Sequence, residues 1–364
     1  MKLSKSEIFY RSITARIFYL SLSLLFHYSF PHFDKSSSFF LYKWDSVFFD
    51  TILQKGYTSE HQLAFFPLLP ILTKSLTTGI PTYLSEILVN LLISSINSIL
   101  LYTLSLKFFD PDVSEIALYF FIYNPCSIIL SAFYTESLFM LIFLVFIHEI
   151  MHKNVFRSAF LISLSCLCRS NGVLFVYFIC ANNFLTFLIS LFIVCLPIST
   201  FQIYSLSKIF GYTVNRIHKS SLDKYLSDRV SIKLFVPYSY IQREYWGQGI
   251  FKFYTLNNIP NLLIGLPFIS FTIVILYTGY KLECKNKDII RQMCNLLSVQ
   301  TIISVLFLHL NMYFRFVGYN PVIYMCMGYL YIYEKNKVFE IYFRFYLAFG
   351  VAYSVLYGSF YPPA

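Results

Sequence analysis

Residues 115–150 read EIALYFFIYNPCSIILSAFYTESLFMLIFLVFIHEI, and this stretch decides what kind of fold the chain can adopt. The run is much longer than the roughly 20 apolar residues that cross a bilayer as a single helix. Pro125 and two polar groups, NPCS and YTES, interrupt its centre, where a proline removes a helical hydrogen bond. The stretch therefore predicts two short membrane passes joined by a polar break.

The composition extends this interpretation to the whole chain. Of its 364 residues, 57% are hydrophobic and only 13% are charged, whereas a soluble domain carries about 25% charged residues. Such a chain cannot cover a globule in water with polar surface, but it suits a bilayer. We expect an all-α polytopic membrane protein with about 9–11 transmembrane helices, folded as one integral membrane domain over residues 1–364.

The apolar runs predict where the spans lie. We expect spans near 13–30, 83–106, 260–280, 294–311, 317–333 and 339–358, and three short passes between 156 and 206 that break at RSNG (169–172) and at 182–183. The N-terminal segment is basic and lacks a small-residue cleavage site, so the first span is expected to be retained.

Basic residues predict which end of each span faces the cytoplasm. They cluster near the start of the chain, at 153–157, at 281–291 and at 335–337, and such clusters favour the cytoplasmic side. A first loop at 31–82, expected to carry short interfacial helices, then falls on the opposite face. A second large loop at 207–259, the break in 115–150, RSNG and MYFRF (312–316) are expected on that face too.

Several functional classes lack their signatures. The net charge of +10 does not indicate nucleic-acid binding, because the basic residues are scattered between apolar runs without an RNA-binding motif. The chain has no G-x-x-x-x-G-K-[ST] loop of the ATPases. Its one D-x-D pattern, Asp110-Pro-Asp112, falls at an expected cytoplasmic turn and not where a nucleotide-sugar transferase would hold a metal. Most of the eight cysteines lie inside apolar runs, where we expect buried thiols.

Residues 148–152 read HEIMH and match the H-E-x-x-H pattern of zinc proteases. On a helix, both histidines would share one face, with Glu149 as the base. The motif lies at an expected cytoplasmic end of a span, and neither a convincing third ligand nor an Asp-Gly pair follows it. A metalloprotease is kept as an alternative, and no metal ligand is assigned.

The first loop gathers charged side chains among aromatic ones in KWDSVFFDTILQKGYTSEHQLAFFPLLP (43–70). Asp45 follows Trp44 shortly after the first span, close to the expected bilayer surface. It is either a solvated residue of an interfacial helix or a general base that takes a proton from an attacking hydroxyl. Glu60 and His61 lie in the same loop and could orient that base or bind a polyol.

Two further ionisable residues lie in or beside apolar helices, where a charge is expensive and a functional site is the default explanation. Glu136 stands in FYTES and Arg169 stands in CRSNG. They form either a structural salt bridge or part of a lipid-phosphate site, because arginine offers phosphate a bidentate fork. Arg315 in MYFRF and Arg243 in YIQREYW are further candidates.

Five segments of the chain, taken in order, share motifs with one enzyme family. They are KWDSVFFDTILQKGY with SEHQLAFFPLLP, NPCSIILSAFYTESLF, CRSNGVL, SYIQREYWGQGIFKFYTLNNIPNLLIGLP and MYFRFVGYNPVIYM. The first carries W-D and E-H-x-x-A-F-x-P, and the fourth carries Y-x-Q-x-x-Y-W. Together they resemble the GPI mannosyltransferase 2, or PIG-V, family over residues 43–325, which is most of the chain.

The resemblance implies a GT-C glycosyltransferase of the endoplasmic reticulum membrane whose active site faces the lumen. Members of this family are expected to transfer the second mannose, in α1,6 linkage, from dolichyl-phosphate mannose to the one-mannose GPI precursor lipid. The reaction implies a single inversion at the sugar. Dolichyl-phosphate mannose is the donor substrate, no cofactor or metal is implied, and a small accessory membrane subunit is an expected partner.

The resemblance also implies roles for individual residues. In GT-C enzymes the acidic residue of the first lumenal loop is the usual base, which corresponds here to Asp45. The surrounding substrate and phosphate site is expected to comprise Trp44, Glu60, His61, Asn124, Glu136, Arg169, Asn171, Trp246 and Arg315. The alternatives are another GT-C enzyme that uses a dolichyl-phosphate sugar, a lipid or solute transporter, and the metalloprotease suggested by HEIMH.

Overall fold

The computed structural model describes residues 2–33, 39–179, 184–216, 237–334 and 336–361, and no strand occurs in these ranges. The α-helices are α1 Lys5–Ser29, α2 Asp45–Lys55, α3 Leu68–Leu76, α4 Thr82–Ser105, α5 Pro111–Ile122, α6 Ser127–Ser131, α7 Glu136–Met151, α8 Val155–Cys168, α9 Phe184–Arg216, α10 Pro237–Trp246, α11 Ile259–Lys281, α12 Lys287–Phe307, α13 Tyr313–Val317, α14 Pro321–Tyr333 and α15 Lys337–Gly358. Three-ten helices cover Glu60–Ala64, Ser170–Phe178, Leu256–Asn258 and Leu310–Met312.

The all-helical, multi-pass membrane fold is confirmed. Within the described ranges, five helices are long and apolar enough to cross a bilayer: α4, α9, α11, α12 and α15. Two shorter apolar helices, α8 and α14, accompany them. The number of such helices in the described ranges is below the predicted 9–11 because several apolar runs are broken into helices of 12–16 residues, such as α5 and α7. In addition, α1, at the predicted first span, has 25 residues but is not among these five helices.

The predicted break in 115–150 is confirmed, since α5 ends at Ile122 and α7 begins at Glu136. Asn124 fixes the turn: its side chain donates to the Phe121 carbonyl at 2.7 Å and accepts from the Cys126 N–H at 2.8 Å. The buried Arg16 guanidinium of α1 also approaches the Phe121 carbonyl, at 3.5 Å. A cation is favourable there, because the last carbonyls of a helix carry partial negative charge.

Three passes of similar length between 156 and 206 were expected, and the structure corrects this. The chain breaks at RSNG, as predicted, but the next segment is the nine-residue three-ten helix Ser170–Phe178, and α9 then runs for 33 residues. The break expected at 182–183 lies outside the described residues. Phe175 and Phe178 are buried, and their rings pack beside Phe143 at 4.6 and 6.1 Å. Non-α-helical backbone is tolerated at membrane depth when protein covers it in this way.

Both large loops contain helices. The first, 31–82, carries α2, the three-ten helix Glu60–Ala64 and α3 between α1 and α4, as expected for short interfacial helices. In the second, 207–259, the loop expectation is wrong for 207–216, which continue α9, while 237–246 form α10. Residues 217–236 lie outside the described ranges.

Candidate active site

Asp45 is the first residue of α2, directly after a strained residue. Trp44 has φ 54°, a left-handed conformation that costs a residue other than glycine about 1–3 kcal/mol. The backbone beside it is held in place, because the Lys43 carbonyl accepts hydrogen bonds from the hydroxyls of Tyr134 and Ser46, each at 2.7 Å. These tertiary contacts maintain the strained turn that directs the Asp45 side chain inward.

Four charged side chains from distant parts of the chain meet at this point. The Arg315 Nη2 atom lies 2.7 Å from Asp45 Oδ2 and 2.7 Å from Glu136 Oε1, and its Nε donates to the same Glu136 oxygen at 2.8 Å. Arg169 Nη1 lies 2.8 Å from Glu136 Oε1. The Arg315 and Glu136 side chains are each 6% exposed, Arg169 is 20% exposed and Asp45 is 29% exposed. We call these residues the charge cluster.

The charge cluster is formally neutral, with two guanidinium groups and two carboxylates. Glu136 lies at its centre, because a single oxygen receives both arginines. Arg315 also lies over the Tyr134 ring, with 4.9 Å from Cζ to the centroid, and its Nη1 donates only weakly, to Met312 Sδ at 3.6 Å. A thioether is a poor acceptor, so Arg315 retains hydrogen-bonding capacity for an anion.

A cavity of about 670 Å³ opens beside the charge cluster. Its walls come from four segments, within 44–66, 168–174, 238–248 and 303–316, together with Thr135. This volume lies in the range of small-molecule sites, which are mostly apolar with a few convergent polar groups. The segments that the sequence predicted to share one face of the membrane therefore do converge on one site.

Two buried donors at the cavity have no hydrogen-bond partner among the residues that the structure describes. They are the indole Nε1 of Trp44 and the side-chain Nδ2 of Asn171, whose residue is 7% exposed. A buried donor without a partner costs roughly 1–3 kcal/mol, so a ligand that accepts from either atom would recover that cost. Asn171 is held against α8 by Gly172, where a Cβ atom would overlap the Ser165 backbone.

His309 lies in the cavity wall, between α12 and the three-ten helix Leu310–Met312. Burial lowers the pKa of His309 below its usual range, and a hydrogen bond with the Trp246 backbone offsets part of that effect. Its ring packs on Phe253 at 4.4 Å between centroids. The imidazole is therefore neutral at neutral pH and can exchange hydrogen bonds with a polyol.

The model of the mannosyltransferase (PIG-V) family matches residues 32–364. The chain belongs to this family of glycosyltransferases.

It is 25% identical over 350 residues to GPI mannosyltransferase 2 of Schizosaccharomyces pombe, covering 88% of this chain and 73% of that one. It is 28% identical to GPI mannosyltransferase 2 of Drosophila pseudoobscura, covering 63% and 61% of the two chains. For human GPI alpha-1,6-mannosyltransferase 2 the identity is 27%, with 62% and 54% covered, so the matched part spans little more than half of that relative.

Solved structures give a looser likeness. Two structures of an oligosaccharyltransferase from Archaeoglobus fulgidus, one in complex with an inhibitory peptide and a dolichol-phosphate, superpose with TM-scores of 0.42 and 0.44. Their sequence identities to this PIG-V member are 13% and 11%, covering 97% and 96% of this chain and 55% of theirs.

The structure brings most of the predicted site residues of this PIG-V member together. Those that line the cavity are Trp44, Asp45, Arg169, Asn171, Trp246 and Arg315. Glu136 lies directly behind them, hydrogen-bonded to both arginines. The roles assigned to these residues stay predictions.

Three predicted residues lie away from the cavity. Asn124 is used by the turn after α5 and is 1% exposed. Glu60 accepts a hydrogen bond from the Tyr245 hydroxyl at 3.3 Å, and the His61 ring lies 5.5 Å from the Tyr245 ring. Glu60 and His61 therefore attach α10, whose other face lines the cavity, to the first loop.

The remaining candidates are also placed. Arg243 is exposed on α10. His148 and His152 have ring centroids 4.5 Å apart, while the Glu149 carboxylate accepts a hydrogen bond from Asn154 at 2.7 Å. Among the residues that the structure describes, no group of three His, Cys, Asp or Glu side chains is placed to hold a metal ion.

Sequence reasoning missed several polar residues of the cavity wall: Tyr238, Gln242, Gln248, His309 and Asn311. One signal was available for Gln242, which stands one helical turn before Trp246 in YIQREYW and so shares its face. His309 and Asn311 follow the end of an apolar helix without any pattern that distinguishes them.

Proposed function

We propose that this chain transfers a mannosyl group from dolichyl-phosphate mannose to a GPI precursor lipid, with Asp45 as the general base. The observation that supports this proposal most directly is a carboxylate at the wall of a cavity, beside two arginines, in a member of the PIG-V family. The relatives named GPI mannosyltransferase 2 suggest the pathway.

The chemistry needs few groups. A sugar linked to a lipid phosphate already carries a good leaving group, and the acceptor hydroxyl needs a base to take its proton, a contribution of about 10²–10⁴-fold. The acceptor oxygen bonds to the anomeric carbon while the bond to the phosphate oxygen breaks, and that oxygen keeps the electron pair. One such displacement inverts a β-linked donor to an α-linked product, so no covalent nucleophile is required.

The arginines supply the second requirement. As the leaving phosphate gains negative charge, a guanidinium group stabilises it by charge-assisted hydrogen bonds. We assign this role to Arg169 and Arg315, with Asn171 and Trp44 as further donors to the phosphate or the sugar. The apolar residues Ile303, Phe307 and Met312 in the same cavity suit the start of a lipid chain.

The step and location that we propose follow the family. The acceptor is the one-mannose GPI precursor, the new linkage is α1,6, and the cavity faces the lumen of the endoplasmic reticulum in a GT-C architecture. A small accessory membrane subunit is proposed as a partner, and no cofactor is proposed.

A lipid-intermediate profile of cells that lack this protein tests the proposal. We expect the one-mannose GPI precursor to accumulate, and the wild-type gene to clear it. Asp45→Asn should fail to clear it while the protein reaches the membrane in normal amount, because the base is gone but the side-chain shape remains. Asp50→Asn is the matched control, since Asp50 lies on the same helix, bonded to Gln54 at 2.6 Å and away from the cavity. An unchanged profile in the deletion would refute the proposed step, and full rescue by Asp45→Asn would refute the assignment of the base.

A further inference from the structure

Arg315 is shared between the proposed base and the rest of the charge cluster, and this sharing has a consequence for the order of events. Its Nη2 atom contacts Asp45 Oδ2 and Glu136 Oε1 at 2.7 Å each. The guanidinium group is nearly fully buried, so its hydrogen bonds are not diluted by water. In this structure, Asp45 is therefore engaged as the counter-ion of Arg315.

The contact to Asp45 is the one that can be exchanged. Arg315 is held to Glu136 by two nitrogens, Nε and Nη2, and to Asp45 by one. Asp45 is also the most exposed member of the charge cluster and lines the cavity, whereas Glu136 is 6% exposed and lies behind it. An anion that enters the cavity competes with Asp45 for the arginine and leaves the anchorage on Glu136 intact.

We propose that the phosphate of the lipid-linked donor takes over Arg315 from Asp45, and that this exchange frees the base for the acceptor hydroxyl. The proposal rests on the proposed function, because it requires a phosphate-bearing donor in this cavity. Arg315 thus exchanges one anionic partner for another. It pairs with Asp45 before the donor binds and with the donor phosphate during transfer. The donor must therefore bind before the acceptor can bind productively, because only the donor phosphate releases the base.

The charges balance through the reaction. The two arginines, two carboxylates and a donor phosphodiester sum to one negative charge. When the acceptor hydroxyl passes its proton to Asp45, that carboxyl becomes neutral, and the departing lipid phosphate gains the electron pair of the broken bond as a second negative charge. The net charge therefore stays at one negative charge. The negative charge is lost from Asp45, which has released Arg315, and is gained by the lipid phosphate, which has acquired Arg315. Little net charge has to be created in a poorly solvated site.

Binding of dolichyl phosphate to the purified full-length chain in lipid nanodiscs tests this exchange. Removing the competing carboxylate should tighten binding, so Asp45→Asn and Asp45→Ala should each bind about tenfold more strongly than wild type, although both are inactive. Relief of repulsion between the Asp45 carboxylate and the phosphate would give a gain that does not depend on Arg315, whereas the exchange gives a gain that requires Arg315. Retained binding also shows that the variants are folded.

Two controls make the result specific. Asp50→Asn removes a carboxylate from the same helix but not from the cavity, so its affinity should equal that of wild type. In an Arg315→Gln background, Asp45→Asn should bring no gain, because the shared cation is gone. Asp45→Asn binding as weakly as wild type, or more weakly, would overturn the exchange and leave the proposed function standing. No binding of dolichyl phosphate by wild type, with no transfer from the mannosyl donor, would overturn the proposed function itself.

Discussion

At the scale of single residues, Glu136 is the side chain on which the charge cluster depends most. One of its oxygens receives both Arg169 and Arg315, and its side chain is 6% exposed. Glu136→Gln would leave two arginines close together without a central negative charge, so we expect a loss of about 3–5 kcal/mol in the free energy of unfolding. Thermal unfolding of the purified protein measures this. Glu340→Gln, which breaks an exposed pair with Arg344, should cost less than about 1 kcal/mol, and equal costs for the two variants would contradict the prediction.

The sequence predicted several site residues but not how they pair. Glu136 and Arg169 stood out because a charge in or beside an apolar run is expensive. Arg315 was a further candidate, and Asp45 was assigned through its place in the first loop and the family resemblance. Arg315 donates to both Asp45 and Glu136, which lie 270 and 179 residues away along the chain. No local sequence pattern encodes such distant contacts. Asn124 was assigned to the substrate site through the family motif, while its side-chain atoms bind the local backbone. A motif alone does not separate a turn-forming residue from a ligand-binding one.

At the scale of elements, Gly265 controls the position of the segment that carries Arg315. A Cβ atom on Gly265 of α11 would overlap the backbone carbonyl of Leu310, in the three-ten helix just before α13. Backbone cannot yield as a side chain can, so Gly265→Ala should displace this segment at a cost of about 1–3 kcal/mol. A shift of about 1 Å in a catalytic group can cost 10²-fold in rate, and we expect mannosyl transfer to fall by about 10–100-fold. Ser270→Ala, at an exposed position on the same helix, should retain activity, and undiminished transfer by Gly265→Ala would contradict the argument.

Length and hydropathy predicted three of the long apolar helices well and the segment 170–216 poorly. The spans expected at 83–106, 260–280 and 339–358 correspond closely to α4, α11 and α15. The segment after RSNG was expected to be a full pass, but its apolar residues form a three-ten helix. Hydropathy records how apolar a segment is, whereas the choice between α and three-ten backbone there follows from packing of Phe175 and Phe178 against α7.

At the scale of the whole molecule, the cavity and the basic turns lie at opposite ends of the helices. Phe307, the last residue of α12, lines the cavity, and Gly265, near the start of α11, lies against Leu310 just beyond it. The turn between these helices, 282–286, lies about 30–35 Å away, at 1.5 Å per residue, which matches the roughly 30 Å of a hydrocarbon core. This turn is flanked by the basic residues Lys281 and Lys287. A second helix, α15, begins at the basic residue Lys337 and ends near the cavity residue Trp44, whose ring lies 5.2 Å from that of Phe360. In both parts of the chain, the basic end of the helix is therefore opposite to the end that lies near the cavity.

The positive-inside rule then predicts that the basic turn is cytoplasmic and that the cavity faces the lumen. In sealed microsomes with the cytoplasmic face outward, a membrane-impermeant maleimide should label Cys284, a half-buried free thiol in that turn. A cysteine introduced by Lys252→Cys, at an exposed position near the cavity, should react only after the membrane is permeabilised. Loss of labelling in Cys284→Ser shows that the first signal comes from Cys284. The protein without Lys252→Cys gives the background labelling of the other thiols. The reverse order of labelling would place the cavity on the cytoplasmic face, and the lumenal transfer that we propose would then be wrong.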